Sequence, residues 1–164
     1  MKIAFDLDGT LISCGYAFPL ERKWPPSIKK FCGIESLREG TIELMHYFQG
    51  QGEAVWIYTT SYRNTTYIRL LFWLHGIFIS GIINQAVHNR TLNKRTDCPR
   101  CSKYPPAFGI DLLIDDQEGV KIEAERYGFN MIWIKPEEAN WTEKIKAGYQ
   151  KIKEEKVKPV HNIC

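Results

Sequence analysis

The chain has 164 residues, 44% of them hydrophobic and 25% charged, with a formal net charge of +3. That length suits one domain with a proper core, and the composition is that of a soluble globular protein without repeats or low-complexity tracts. The longest apolar stretch, Leu70 to Ile83, is interrupted by His75 and two glycines and falls short of the about 20 residues a membrane span needs. So mild a charge is by itself no argument for nucleic acid.

The first element, Lys2–Asp6, reads as a buried strand that runs into Asp6-Leu7-Asp8-Gly9-Thr10. Carboxylates two positions apart share one side of an extended strand. A turn at Gly9 lets both project from the strand's carboxyl end, where ligands bind in open α/β sheets. The same acids break the only early apolar run, so no signal peptide is read and a cytoplasmic location is the expectation. From Leu11 to Ser36 the chain is irregular, and Pro19, Trp24, Pro25 and Pro26 exclude a long helix. A connection of that length reads as a loop or small hairpin leaning over the site.

Leu37, Ile42, Leu44, Met45 and Phe48 suit a helix ending near Gly50 or Gly52. A second strand, Ala54–Thr59, opens into Thr59-Thr60-Ser61. The segment from Asn64 to His75 is apolar almost all round and reads as a deeply buried helix, with an oligomer contact as the alternative. Gly81–Asn84 is a third strand. Beyond it Arg90, Lys94, Arg95, Arg100 and Lys103 crowd a polar segment, read either as a solvated loop or as a rim that attracts an anionic substrate.

The five cysteines are an odd count and argue against a disulfide framework. Cys98-Pro99-Arg100-Cys101 has the spacing of half a zinc site, with His88 upstream. Cys14, Cys32 and Cys164 are too scattered to supply the other half.

Asp111–Asp115 is a fourth strand and runs into Asp116. Val120, Ala124 and Tyr127 mark a helix closed by Gly128, Met131–Ile134 a fifth strand, and Trp141, Ile145, Tyr149 and Ile152 a last amphipathic helix. Residues 1–157 read as one domain and 158–164 as a flexible tail. Alternation of this kind argues for an α/β fold with a parallel sheet. The continuous apolar strands argue for cover on both faces.

Parallel strands would bring Asp6, Asp8, Thr59 and Asp115, with Asp116 and a lysine, to one end of the sheet. Clustered carboxylates repel and are driven to take up protons. A hard divalent cation such as Mg²⁺, which prefers carboxylate, water and phosphate oxygens, removes that penalty. Metal and lysine would neutralise a phosphate so that one carboxylate can attack it, and the other can handle the proton.

These segments resemble, in order, the four motifs of the haloacid dehalogenase-like (HAD) superfamily, over roughly Met1 to Ile134. The resemblance implies a Rossmann-like three-layer sandwich with a five-stranded parallel sheet. Asp6 is similar to the nucleophile that becomes an aspartyl-phosphate, and Asp8 to the general acid and base. Asp8 together with Thr10 looks like the phosphatase branch. Thr59, with Thr60 beside it, would bind the phosphoryl group. Mg²⁺ would be held by Asp6, Asp115 and the backbone carbonyl of Asp8, with Asp116 assisting.

Lys103 is the preferred phosphate-binding lysine, because Pro105-Pro106 mark a helix start directly after it. Lys94, spaced more typically for the family, is the alternative. Neither long interval between motifs holds a full cap domain. The expected activity is therefore a phosphomonoester hydrolase with an open site that takes large phosphorylated substrates. The rivals are a nucleic-acid or phosphoprotein binding module on the same scaffold and a polynucleotide 3′-end phosphatase, both using the Arg90 to Lys103 segment.

Overall fold

The computed structural model describes residues 1–22, 33 and 35–157. Its strands are β1 (Lys2–Phe5), β2 (Ala54–Tyr58), β3 (Gly81–Ile83), β4 (Leu112–Asp115) and β5 (Met131–Trp133). Among the described residues the helices are α1 (Thr41–Gly50), α2 (Thr65–Leu74), α3 (Gln85–Leu92), α4 (Glu118–Tyr127) and α5 (Trp141–Val157), with a 3-10 turn at Pro105–Phe108. The expected tail, 158–164, lies outside the described residues, as do Trp24, Pro25 and Pro26 of the irregular stretch.

The five strands form one sheet in the order β3-β2-β1-β4-β5, and every neighbouring pair is parallel. The expected α/β, Rossmann-like architecture is therefore the one observed. The chain builds outward from β1 to β2 and β3, then returns to the other side of β1 to lay down β4 and β5. The order reverses between β1 and β4, and beyond the carboxyl ends of strands at such a switch point lies the ligand crevice of open α/β sheets.

Alternation along the strands sorts the core into two layers. Ile3, Phe5, Val55, Ile57, Leu112 and Ile114 face α1, α2 and α5, where Phe48, Phe72 and Tyr149 are fully buried. Ala4, Tyr58 and Leu113 face the other way, toward Val120 and Ala124 of α4 and, at the layer's edge, Val87 of α3. Each fully buried Phe, Leu or Ile contributes about 1.5–3 kcal/mol, which is how strands this short hold together. The edge strand β3 begins at Gly81 because Trp56 of β2 lies across it. A Cβ there would sit 2.2 Å from the Trp56 ring.

Three readings of the sequence need correction. Leu37 is not part of α1; it pairs as an antiparallel bridge with Ile12, and Leu20 bridges Arg38 in the same way. The helix α2 is not buried all round: Ile68, Leu71 and Phe72 face the core, whereas Leu70 and Trp73 are 48% and 67% exposed. The segment after β3 is not all loop, because Asn84 caps α3 by accepting from the Val87 N–H at 3.0 Å. Among the described residues no helix is long and apolar enough to cross a membrane.

Candidate active site

The loop after β1 is built to present acids. Asp6 extends the ladder by donating its N–H to Ile114 O of β4 at 2.8 Å. Leu7 is fully buried, and its carbonyl accepts from both Leu11 and Ile12, so the chain curls back at once. Gly9 makes that curl with φ +87°, and a Cβ on it would lie 2.6 Å from Asp116 Oδ2. Only glycine meets both demands, the left-handed backbone and the close approach. Thr10, fully buried, donates its hydroxyl to Asp116 Oδ1 at 3.0 Å and ties this loop to the end of β4.

Asp115 closes β4 beside Asp6, where its Oδ1 accepts from the Gln117 N–H at 2.9 Å. Asp116 takes a bond from Gln117 Nε2 at 3.1 Å, and its carbonyl accepts from the Trp133 indole at 2.8 Å. Asp6, Asp115 and Asp116 are all buried, with oxygens within 4.8 Å of one another. Among the described residues they are the one set of three or more ligating side chains close enough to share a metal ion. Among the described residues Cys98 and Cys101 join no third ligand of that kind.

Into this cluster reaches Lys103, only 1% exposed. Its ammonium donates to Asp6 Oδ1 and, at 2.6 Å, to Asp115 Oδ2. The segment that carries it is pinned from below. Tyr104 N–H donates to the Tyr58 hydroxyl at 2.9 Å, and that hydroxyl meets His88 Nδ1 at 2.6 Å. The Tyr58 hydroxyl thus bridges Tyr104 and His88, whose pKa burial holds below its usual value. Lys94 lies exposed just past α3. Lys103 is the lysine that the fold brings to the acids.

Charge is not balanced here: three carboxylates surround one ammonium. Burial pushes Asp6 up from 3.8 to about 7, Lys103 opposes the shift, and Asp115 and Asp116 add to it. Asp116 is also raised, first by burial, against the Thr10 hydrogen bond. Burial works against the charged form of Lys103, but Asp6 and Asp115 outweigh it and push that pKa up. A dication would offset that excess of negative charge, and a set made only of carboxylate oxygens would suit hard Mg²⁺ rather than zinc.

A cavity of about 420 Å³ opens over the cluster, lined by Asp6, Asp8, Thr60, Lys103 and Gln117, with Cys14 and Tyr16 from the irregular stretch on one wall. A hollow of similar size, about 440 Å³, lies elsewhere, around Arg38 and Trp141. The Arg38 guanidinium stacks there 4.6 Å from the Trp141 ring.

Asp8 stands apart from the three buried acids. Its Oδ2 accepts from the buried Thr59 hydroxyl at 3.2 Å, and its Oδ1 from Arg63 Nη2 at 2.7 Å. Arg63, Glu35, Tyr58 and His88 are site-building residues missed by the sequence reading. Arg63 follows the Thr59-Thr60-Ser61 turn closely, the one signal that could have found it. Of the basic segment, Lys103 points inward and Arg95 pairs with Asp97 at 3.1 Å, so the rim is less cationic than its composition implies.

No protein-family model and no curated protein matches the chain. Among solved structures, the chain is similar to a HAD-superfamily hydrolase, subfamily IA, variant 1, from Geobacter sulfurreducens PCA. The two share 15% identity over 80% of this chain and 88% of that one, with a TM-score of 0.49. A predicted HAD-like family hydrolase from Porphyromonas gingivalis is 16% identical over 89% of this chain and 96% of its own, with a TM-score of 0.47. Likenesses at this level go no further than the arrangement of strands and helices. The functional reading rests on the site itself.

Proposed function

We propose that the protein is a Mg²⁺-dependent phosphomonoester hydrolase of the HAD type that works through an aspartyl-phosphate on Asp6. The observation that carries this reading is the buried set of Asp6, Asp115 and Asp116 around the Lys103 ammonium at the switch point of the sheet. The metal would be held by the three carboxylates and by the backbone carbonyl of Asp8. When bound it supplies positive charge to the phosphate oxygens and keeps Asp6 ionised.

The chain's own residues supply the rest. Lys103 fixes one oxygen of Asp6 and adds charge stabilisation to the phosphoryl group. The other oxygen of Asp6 attacks phosphorus, and the ester oxygen leaves with a proton from Asp8. Asp8 then takes a proton from water as that water attacks the aspartyl-phosphate, which releases inorganic phosphate and restores Asp6. Thr60, which lines the cavity just past β2, binds the phosphoryl oxygens, while the Thr59 hydroxyl is held by Asp8. The open cavity suits a phosphoryl group carried on a large substrate.

The test is direct. Purified protein should hydrolyse a generic aryl phosphate with Mg²⁺, lose that activity in EDTA and regain it on adding Mg²⁺ back. Activity that persists undiminished in EDTA sinks the reading. A 3′-phosphorylated oligonucleotide in the same assay decides whether the exposed Arg90, Lys94 and Arg100 serve a nucleic-acid end.

A further inference from the structure

Asp8 does not hold its own position. Arg63 splits its guanidinium between two acids, with Nη2 2.7 Å from Asp8 Oδ1 and Nη1 2.8 Å from Glu35 Oε2. The Tyr67 hydroxyl of α2 donates to the same Glu35 oxygen at 2.9 Å. The Arg63 backbone is tethered as well, since its carbonyl accepts from Asn84 Nδ2, the cap of α3, at 3.0 Å. With Thr59 on Oδ2, both oxygens of Asp8 accept hydrogen bonds. The side chains of Arg63, Glu35 and Asp8 are 30%, 34% and 24% exposed, which shelters the pairs from full solvent screening. A rigid guanidinium fork can hold two carboxylates at a fixed angle, whereas an ammonium cannot.

We infer that Arg63 is the positioning residue for the proton-transferring acid Asp8, held in turn by Glu35 and Tyr67. This rests on the phosphatase reading above. Both terminal nitrogens of Arg63 are committed to Asp8 and Glu35, so it acts through Asp8 rather than on the substrate. Its role belongs to the step in which the P–O bond breaks and the ester oxygen takes the Asp8 proton. An ester whose alcohol is a poor leaving group needs that proton in the transition state. A nitrophenolate leaves largely without it. A misplaced general acid therefore penalises the two esters unequally, which a general loss of structure does not do.

The experiment compares kcat/KM, which reports this first chemical step, for an alkyl phosphate and for 4-nitrophenyl phosphate with Mg²⁺ in wild type, Arg63→Ala, Arg63→Lys and Glu35→Gln. Arg63→Ala should lower the alkyl ester value about 100-fold, the scale of a lost general acid. It should lower the nitrophenyl value only a few-fold. Arg63→Lys should recover part of the alkyl loss, and Glu35→Gln should show the same bias more weakly without removing the guanidinium. Equal losses on both esters, or none, overturn the positioning role. If wild type hydrolyses neither ester, the phosphatase reading itself falls, and the positioning role with it; that result is distinct from equal losses in an active enzyme.

Discussion

The Lys103 ammonium donates to Asp115 Oδ2 at 2.6 Å while also bonding Asp6, so one buried cation joins the ends of the two strands that flank the switch point. Removing it leaves two buried acids without a counter-charge. Lys103→Met, which keeps much of the side-chain volume, should destabilise the metal-free protein by about 3–5 kcal/mol in urea unfolding with EDTA. It should also abolish turnover. Because the remaining site is more negative, Mg²⁺ should raise the melting temperature of the variant by more than that of wild type. An unchanged urea midpoint would mean that the ammonium does not neutralise this cluster.

Acidity gives a second test. Burial pushes Asp6 up from 3.8 to about 7. Between those values the folded chain holds a proton that the unfolded chain has given up, so this group's stabilisation is lost as pH rises through the window. For one proton the slope approaches about 1.4 kcal/mol per pH unit. His88, held down by burial, pulls the other way over part of the same range. Comparison with Asp6→Asn therefore isolates the contribution of Asp6. In EDTA, wild type should lose stability relative to Asp6→Asn between about pH 5 and 7 in urea midpoints. Saturating Mg²⁺ should flatten the difference. A relative gain with rising pH in EDTA contradicts the account.

Gly9 tests the geometry of the loop. Its φ of +87° and the 2.6 Å approach to Asp116 Oδ2 make any side chain there strained. Gly9→Ala should cost about 1–3 kcal/mol and push Asp116 off the Thr10 hydroxyl. Mg²⁺ titration followed by thermal shift should show weakened affinity. Wild-type affinity in that variant would separate Asp116 from the metal site.

The sheet and the acid cluster are legible in the sequence, whereas the partners of Asp8 are not. All five strands lie within a residue of where the apolar runs place them, because strands buried on both faces leave a continuous hydrophobic trace. Lys103 was distinguishable from Lys94 through Pro105-Pro106, a local signal that the 3-10 turn at Pro105–Phe108 fulfils. The helix α3 was not legible. It buries His88 and little else, so its apolar stripe is too thin to register. For α2 the composition misled: Trp73 and Leu70 lie on the solvent side of a helix whose core face is made by Ile68, Leu71 and Phe72. The partners of Asp8 were invisible for another reason. Arg63 and Glu35 are 55 and 28 positions from the groups they meet, and only the packed fold shows that they converge.

The central claim is that Asp6 carries the phosphoryl group. Rapid quenching during turnover of an aryl phosphate with Mg²⁺, followed by borohydride, reduces an acyl phosphate to the alcohol. Peptide mass spectrometry should then find homoserine at position 6 and at no other acid, with none in a sample quenched without substrate. Reduction at a different carboxylate, or at none while phosphate is being released, would contradict the account.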